Sequence, residues 1–165
     1  MTVKRNSPQH PAIQAVAGPR FQPNRITAAL LASMGVLPSW AMADANNITA
    51  HFTGGLKDTG TSITPVNGTD VTNITTTTQH GSTGFNSFGQ FVVGQGNTVN
   101  LVLPTGASNL VNLVHDAKAQ INGTLNGVMA NGTLGGNVIF ADPHGLVVGA
   151  SGVVNVPYVL SLIHI

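Results

Sequence analysis

The chain has 165 residues, of which only 7% are charged, against roughly 25% in an average soluble domain. Six Lys/Arg face five Asp, and both Glu and cysteine are absent, which excludes disulfide frameworks, thiolate metal sites and cysteine nucleophiles together. Low charge does not mean disorder here, because 42% of residues are apolar while disorder needs low hydrophobicity with high net charge.

The first 25 residues hold four of the six cations (Lys4, Arg5, Arg20 and Arg25) and no acid. An apolar run of twelve follows from Ile26 to Leu37, Pro38 breaks it, and Ala41-Met42-Ala43 sets small residues just before Asp44. A basic n-region, a short apolar h-region and an A-x-A site are the parts of a secretory signal peptide. Residues 1–43 are therefore read as a signal, cleaved at the site formed by Ala41, Ala43 and Asp44. The run is too short for a membrane span, which needs about 20 residues. Beyond residue 43 only Lys57 and Lys118 remain against five Asp, a net charge of −3. No basic patch survives, so nucleic acid as a partner loses its electrostatic attraction.

The remaining sequence is rich in Gly (20 in the chain), Thr (18) and Asn (16), residues of turns and strands rather than helices. Residues 44–84 are polar and Thr-rich, with strand-like pieces at 48–53 and 71–78 separated by Gly54-Gly55 and Asn67-Gly68. From Phe85 onward, 88–93 and 98–103 alternate apolar with small or polar residues, the pattern of half-buried strands. Gly94-Gln95-Gly96-Asn97 joins them as a turn, and Pro104-Thr105-Gly106 stops the second. Segment 109–115 fits two templates. Leu110, Leu113, Val114 and Ala117 have helical spacing behind a Ser108 cap, whereas Leu110, Asn112 and Val114 line one face of a strand. The β character of its surroundings favours the strand.

Asn122-Gly123-Thr124-Leu125 then recurs nine residues later as Asn131-Gly132-Thr133-Leu134. Short strands follow at 137–141, 146–148 and 152–156. Strands this short cannot bury a face alone, but the stacked coils of a solenoid pool them into one core. Asn is expected at coil corners, where it tolerates left-handed backbone and bonds to its own main chain. A β-sandwich, the competing architecture, would want longer strands and regular hairpins. The expected fold is an all-β parallel β-helix.

Catalytic signals are thin. His51, His80, His115, His144 and His164 show no metal-ligand spacing. His115-Asp116 could be half of a triad, but no G-x-S-x-G accompanies it, and a surface turn pair is the plainer reading. The nine-residue repeat has the period of calcium-binding nonapeptides without their Asp ligands. Five Asn-x-Thr sequons, at Asn47, Asn67, Asn73, Asn122 and Asn131, are what chance supplies in so Asn- and Thr-rich a chain. No catalytic residue, metal or cofactor is expected.

The turn Phe140-Ala141-Asp142-Pro143-His144-Gly145 has more identity, with Asp at turn entry, Pro fixing φ and Gly free to take positive φ. Together with 146–156 it resembles the Asn-Pro-Asn-Gly segment in the secretion domain of filamentous haemagglutinin-type exoproteins. Asp142 and His144 stand where that family usually carries Asn. Upstream, Phe85-Asn86-Ser87-Phe88 resembles the family's early N-x-F strand. Asn109-Leu110-Val111-Asn112-Leu113-Val114 and Ile121-Asn122-Gly123-Thr124-Leu125 resemble two further segments, in the right order. Within the family the likeness is to leukotoxin-like filamentous adhesins.

The resemblance implies a right-handed parallel β-helix near the start of a very large surface protein. Such a domain is exported by the Sec machinery and then recognised by the periplasmic domains of an outer-membrane β-barrel transporter, which delivers it to the surface or medium of a Gram-negative bacterium. It implies a recognition or turn role for Asn109, Asn112, Asp142, Pro143, His144 and Gly145. A host-cell receptor or glycan would be met by sequence further downstream, and adhesion, cytolysis and toxin delivery all use such a label. The organisation expected is a signal (1–43), a Thr/Gly-rich N-terminal cap region (44–84), an incomplete β-helix secretion domain (85–156) and an anomalous tail (157–165), read as non-native with a real buried strand as the alternative. Two other readings are an autotransporter β-helix passenger and an extracellular polysaccharide-active β-helix enzyme. The enzyme would want a cluster of charged groups on one coil face, and Lys57 and Lys118 supply almost none.

Overall fold

In this computed structural model residues 44–51 and 58–163 are described. The signal segment 1–43, with Ala41 and Ala43, lies outside them. Thirteen strands and no helix occur among the described residues. In chain order they are β1 (Asn47–Ala50), β2 (Ser62–Pro65), β3 (Val71–Thr75), β4 (Gln79–His80), β5 (Thr83–Val93), β6 (Thr98–Val102) and β7 (Asn109–Val114), followed by β8 (Ala119–Ile121), β9 (Thr124–Val128), β10 (Asn137–Ala141), β11 (Leu146–Val148), β12 (Val153–Asn155) and β13 (Tyr158–Leu162).

These strands stack in three parallel columns, each strand pairing with the equivalent strand one coil later. The first column runs β5, β7, β10, β13. The second runs from the end of β5 to β8 and β11, and the third runs β3, β6, β9, β12. The fold is thus a parallel β-solenoid of about three turns. Sequence alternation explains the column geometry: β6, β7, β9 and β10 each bury every second residue. Leu110, Asn112 and Val114 of β7 point inward while Leu113 points outward, so the strand reading of 109–115 holds and the helical spacing of Leu110 and Leu113 was accidental.

The core is one cluster built from all three columns, including Ile74, Phe88, Phe91, Leu101, Leu110, Ile121, Leu125 and Phe140. Phe88, Phe91 and Phe140 meet edge-to-face at centroid distances of 5.0 and 5.2 Å, a favoured geometry for aromatic pairs. At one corner Gly123 sits where a Cβ would run into the carbonyls of Gly94 and Asn97 on the preceding coil. Only glycine lets the two backbones approach so closely.

The coil length is 26 to 29 residues, as the separations of hydrogen-bonded asparagines on successive coils show. The nine-residue repeat is therefore not a coil. Its first copy becomes β9, with Leu125 fully buried. Its second copy is a turn outside the stacked columns, with Leu134 64% exposed and bridged to Val128 of β9. The same four residues serve a corner and the start of a strand in one place and an Asx turn in the other, where Asn131 Oδ1 accepts the N–H (3.1 Å) and the hydroxyl (2.7 Å) of Thr133.

Parallel stacking starts at β3, inside the segment assigned to the cap region, and β2, whose four residues end in Pro65, went unrecognised. Antiparallel strands β1 and β4 lie on β5, and β2 lies on β3. Strand β5 is eleven residues long and begins at Thr83, because the small and polar residues Gly84, Asn86 and Ser87 are buried in it. Residues 158–162, from the segment read as a tail, form β13 and pair in register with all five residues of β10.

The two copies of the repeat give a direct test. Leu125→Ala opens a cavity in the shared core and should cost about 2–5 kcal/mol in denaturant unfolding, whereas Leu134→Ala should change stability by no more than about 0.5 kcal/mol.

Candidate functional site

The segment singled out in the sequence forms the corner between β10 and β11. The Gly145 N–H donates to the Asp142 carbonyl at 3.1 Å, closing a four-residue turn with Asp, Pro and Gly at the positions a type I turn prefers. Gly145 has φ of +86°, in the left-handed region where glycine carries no penalty. The carboxylate of Asp142 is 1% exposed. Its Oδ1 accepts the His144 N–H at 2.7 Å and its Oδ2 accepts the Ala119 N–H of the preceding coil at 2.7 Å. The Ala119 N–H also reaches the Gly145 carbonyl at 3.1 Å, and the Asp142 N–H donates to Leu162 on the next coil at 3.0 Å. Asp142 thus ties three coils together at one corner.

Pro143 and His144 form the exposed tip of this turn, with the His144 Nδ1 3.5 Å from Asp142 Oδ1. Beside the tip lies an apolar groove of about 420 Å³, walled by Leu113, Ala141, Leu162 and Ile163 and reaching His115 and Asp142.

The remaining candidates lie inside the stack. Asn112 is fully buried. Its Oδ1 accepts from Asn86 Nδ2 at 3.0 Å, and its Nδ2 reaches the carbonyls of Ile139 (3.3 Å) and Leu110 (3.4 Å). Asn86 in turn accepts the hydroxyl of Thr61 at 3.2 Å, so this internal amide pair has every partner it needs. Asn109 is half-buried and accepts from Asn137 Nδ2 at 2.9 Å. Asp44 is exposed, and its N–H donates to the Gln95 carbonyl at 2.9 Å while its own carbonyl accepts from the Asn97 side chain, seating it on the first corner of the solenoid.

Asn97 and Asn122 sit at corners, as expected, but a second set of asparagines lies elsewhere. Asn73, Asn100, Asn126 and Asn155 occupy strand centres on the outer surface of the third column. Asn100 donates to Asn73, Asn126 to Asn100 and Asn155 to Asn126, each at 2.9 Å. A side chain that is both donor and acceptor can repeat itself down a column, which no charged residue can do. The signal was present in the sequence as an Asn spacing of 26 to 29 residues, longer than the repeat that drew attention.

A second cluster was only half visible. The His115 ring stacks on His51, with centroids 4.3 Å apart and planes at 21°. His115 Nε2 lies 3.0 Å from Ser87 Oγ, and Asp116 Oδ2 lies 3.8 Å from His51 Nδ1. Burial first and the neighbouring His51 second push the His115 imidazole below its ordinary 6.5, with Asp116 acting in the opposite sense. Asp116 is seated beside His51 and Ser87 is almost fully buried. The one hydroxyl of the group is therefore closed to solvent, while the Asp116 carboxylate stays half-exposed. Among the described residues no group of three or more His, Asp or Glu could hold a metal ion.

A family model described as the TPS secretion domain matches residues 52–160. No curated protein and no solved structure matches the chain.

The corner yields a graded expectation. Asp142→Ala removes both acceptors from buried N–H groups and should cost about 1–3 kcal/mol. Asp142→Asn keeps one of them and leaves Ala119 its bond to Gly145, so its cost should be about 1 kcal/mol or less by the same scale. Thermal or denaturant unfolding of the two variants would reverse or confirm that order.

Proposed function

The chain belongs to the family of TPS secretion domains, and we propose that it is the secretion label of a large surface-exposed or released adhesin. Membership implies secretion targeting by the two-partner route, with an outer-membrane transporter as partner and the surface or medium of a Gram-negative bacterium as destination. Within that frame the domain works without catalysis. Its task is to be recognised by the transporter's periplasmic domains, and its chemistry is that of a surface and a fold.

The observation that carries this reading is the coincidence of the matched residues 52–160 with a three-turn parallel solenoid whose corner at 142–145 is held from both neighbouring coils. Stacked coils need no energy source to form, so coils that close outside the outer membrane bias the chain outward by mass action. Low charge suits that passage. The exposed Pro143–His144 tip, with the apolar groove beside it, is the part of the turn a folded-state partner can touch. Asn109, Asn112, Asp142 and Gly145 act through the shape of the corner and the stack. Binding of a host receptor or glycan belongs to sequence beyond this domain. The signal reading of 1–43 supplies Sec export, with Ala41, Ala43 and Asp44 marking the cleavage site.

Co-expression of the chain with its cognate transporter, followed by assay of the medium, tests this proposal. Transporter-dependent appearance in the medium is expected, and secretion indifferent to the transporter would overturn it. A Pro143→Ala/His144→Ala variant should secrete less while unfolding at the same denaturant concentration.

A further inference from the structure

Strand β1 lies antiparallel on β5, with Asn47 opposite Val92, Ile48 opposite Phe91 and Thr49 opposite Gln90, and with a register shift before Ala50 opposite Phe88. Directly beyond it the His51 N–H donates to the Ser87 carbonyl at 2.9 Å. At that point the His51 ring stacks on His115, which belongs to the second coil. The His115 N–H is itself fixed to the Phe88 carbonyl at 3.0 Å, and the Asp116 N–H to the Gly89 carbonyl at 2.9 Å. The N-terminal strand is therefore tied to the first coil by its backbone and to the second coil through His51, whose ring stacks on His115 and whose Nδ1 lies 3.8 Å from Asp116 Oδ2.

We propose that His51, His115 and Asp116 form an acid-operated latch, in which the stacked ring pair holds β1 on the first two coils and protonation at His115 releases it. Two neutral imidazoles stack favourably. Two imidazolium ions at a 4.3 Å centroid spacing repel each other, more strongly in a partly desolvated place than in water. Asp116 offers one carboxylate for two cations. The other titratable groups near His115 among the described residues lie across the groove: the Asp142 carboxylate, already engaged by the N–H groups of Ala119 and His144, and the His144 imidazole beside it.

The sign follows from linkage. His115 resists protonation in the closed arrangement, held down first by burial and then by His51. Once β1 has left, the ring is free to take its proton near the ordinary histidine value of about 6.5. The open form then binds more protons, so acid favours opening. The latch is fully closed above that value and weakens as the pH falls below it. Release of β1 uncovers the β5 edge over residues 88–92, a row of backbone groups ready to pair with another strand. The latch is a property of the fold and stands apart from the transport reading.

Amide hydrogen exchange of the full chain, followed by NMR from pH 7.5 to 5 and corrected for intrinsic exchange, tests it. The amides of His51 and Gln90 both report on β1, since Gln90 donates to Thr49 Oγ1 at 3.0 Å. Their protection should fall about tenfold for each pH unit over which the open form holds one extra proton, while the amides of Leu101 and Leu125 keep theirs. His115→Gln keeps polar contacts but cannot charge, and should abolish the acid step. Asp116→Asn keeps both rings and removes the carboxylate that favours the charged closed form, so its loss of protection should continue further into acid than in the parent chain. Exchange at His51 and Gln90 that ignores pH overturns the latch, as does an acid step that survives in both His51→Gln and His115→Gln. A loss of protection that levels off at higher pH in Asp116→Asn than in the parent chain also overturns it. If His115→Gln fails to protect Leu101 and Leu125 at pH 7.5, the other two variants decide the matter.

Discussion

Every coil of this domain depends on lying in register with the coil before it. No single coil encloses its own apolar side chains; Leu101, Leu125 and Phe140 are buried only because a neighbouring coil closes over them. A slip of one residue would turn each strand's inward set outward. The asparagine pairs penalise such a slip asymmetrically. An Asn–Asn bond in place contributes about 1 kcal/mol net, whereas a buried amide left without a partner costs about 1–3 kcal/mol. Asn86 and Asn112, inside the core, therefore oppose misregister more than they stabilise the correct one.

The same constraint accounts for the composition. Side chains on one column repeat at the strand spacing of about 4.8 Å, and like charges directly opposite on neighbouring strands are destabilising. A solenoid surface built from Lys or Asp would have to alternate signs from coil to coil. Asn and Thr avoid the problem because each carries a donor and an acceptor, and the outer Asn73–Asn100–Asn126–Asn155 ladder is the outcome. A chain with 7% charged residues and 16 asparagines is the composition this architecture selects.

Much of the fold was legible because alternation is local. Strand β6 stands where a period-2 pattern placed it, β7 where its β surroundings favoured a strand, and β10, β11 and β12 where short apolar segments lie between turn residues, and the choice of solenoid over sandwich followed from their shortness. What escaped was long-range. The start of β5 was hidden because Gly84, Asn86 and Ser87 look like surface residues, yet their burial is made possible by Pro104, Leu110, Asn112 and His115 from elsewhere in the chain. The coil period was masked by a shorter and more conspicuous repeat whose second copy is a surface turn. His115 and Asp116 drew notice as neighbours in sequence, but their partner His51 is more than sixty residues earlier, and nothing local announces the pairing. The corner at Asp142 was visible as a turn; that its carboxylate reaches back to Ala119 was not.

That corner also bears on when recognition can occur. In the closed coil Asp142 is 1% exposed and Asn112 fully buried, with their polar atoms committed to other coils. A partner that reads either side chain has to do so before the coil closes, while the chain is still extended, and must give it up as the next coil stacks. A partner that reads the folded domain meets instead the Pro143–His144 tip and the apolar groove beside it. The two modes are mutually exclusive at this corner, because the hydrogen bonds that complete the turn are the ones that hide its carboxylate. Folding therefore buries the Asp142 and Asn112 side chains in the same step that presents the Pro143–His144 tip, so the extended chain and the closed coil offer a partner different groups at this corner.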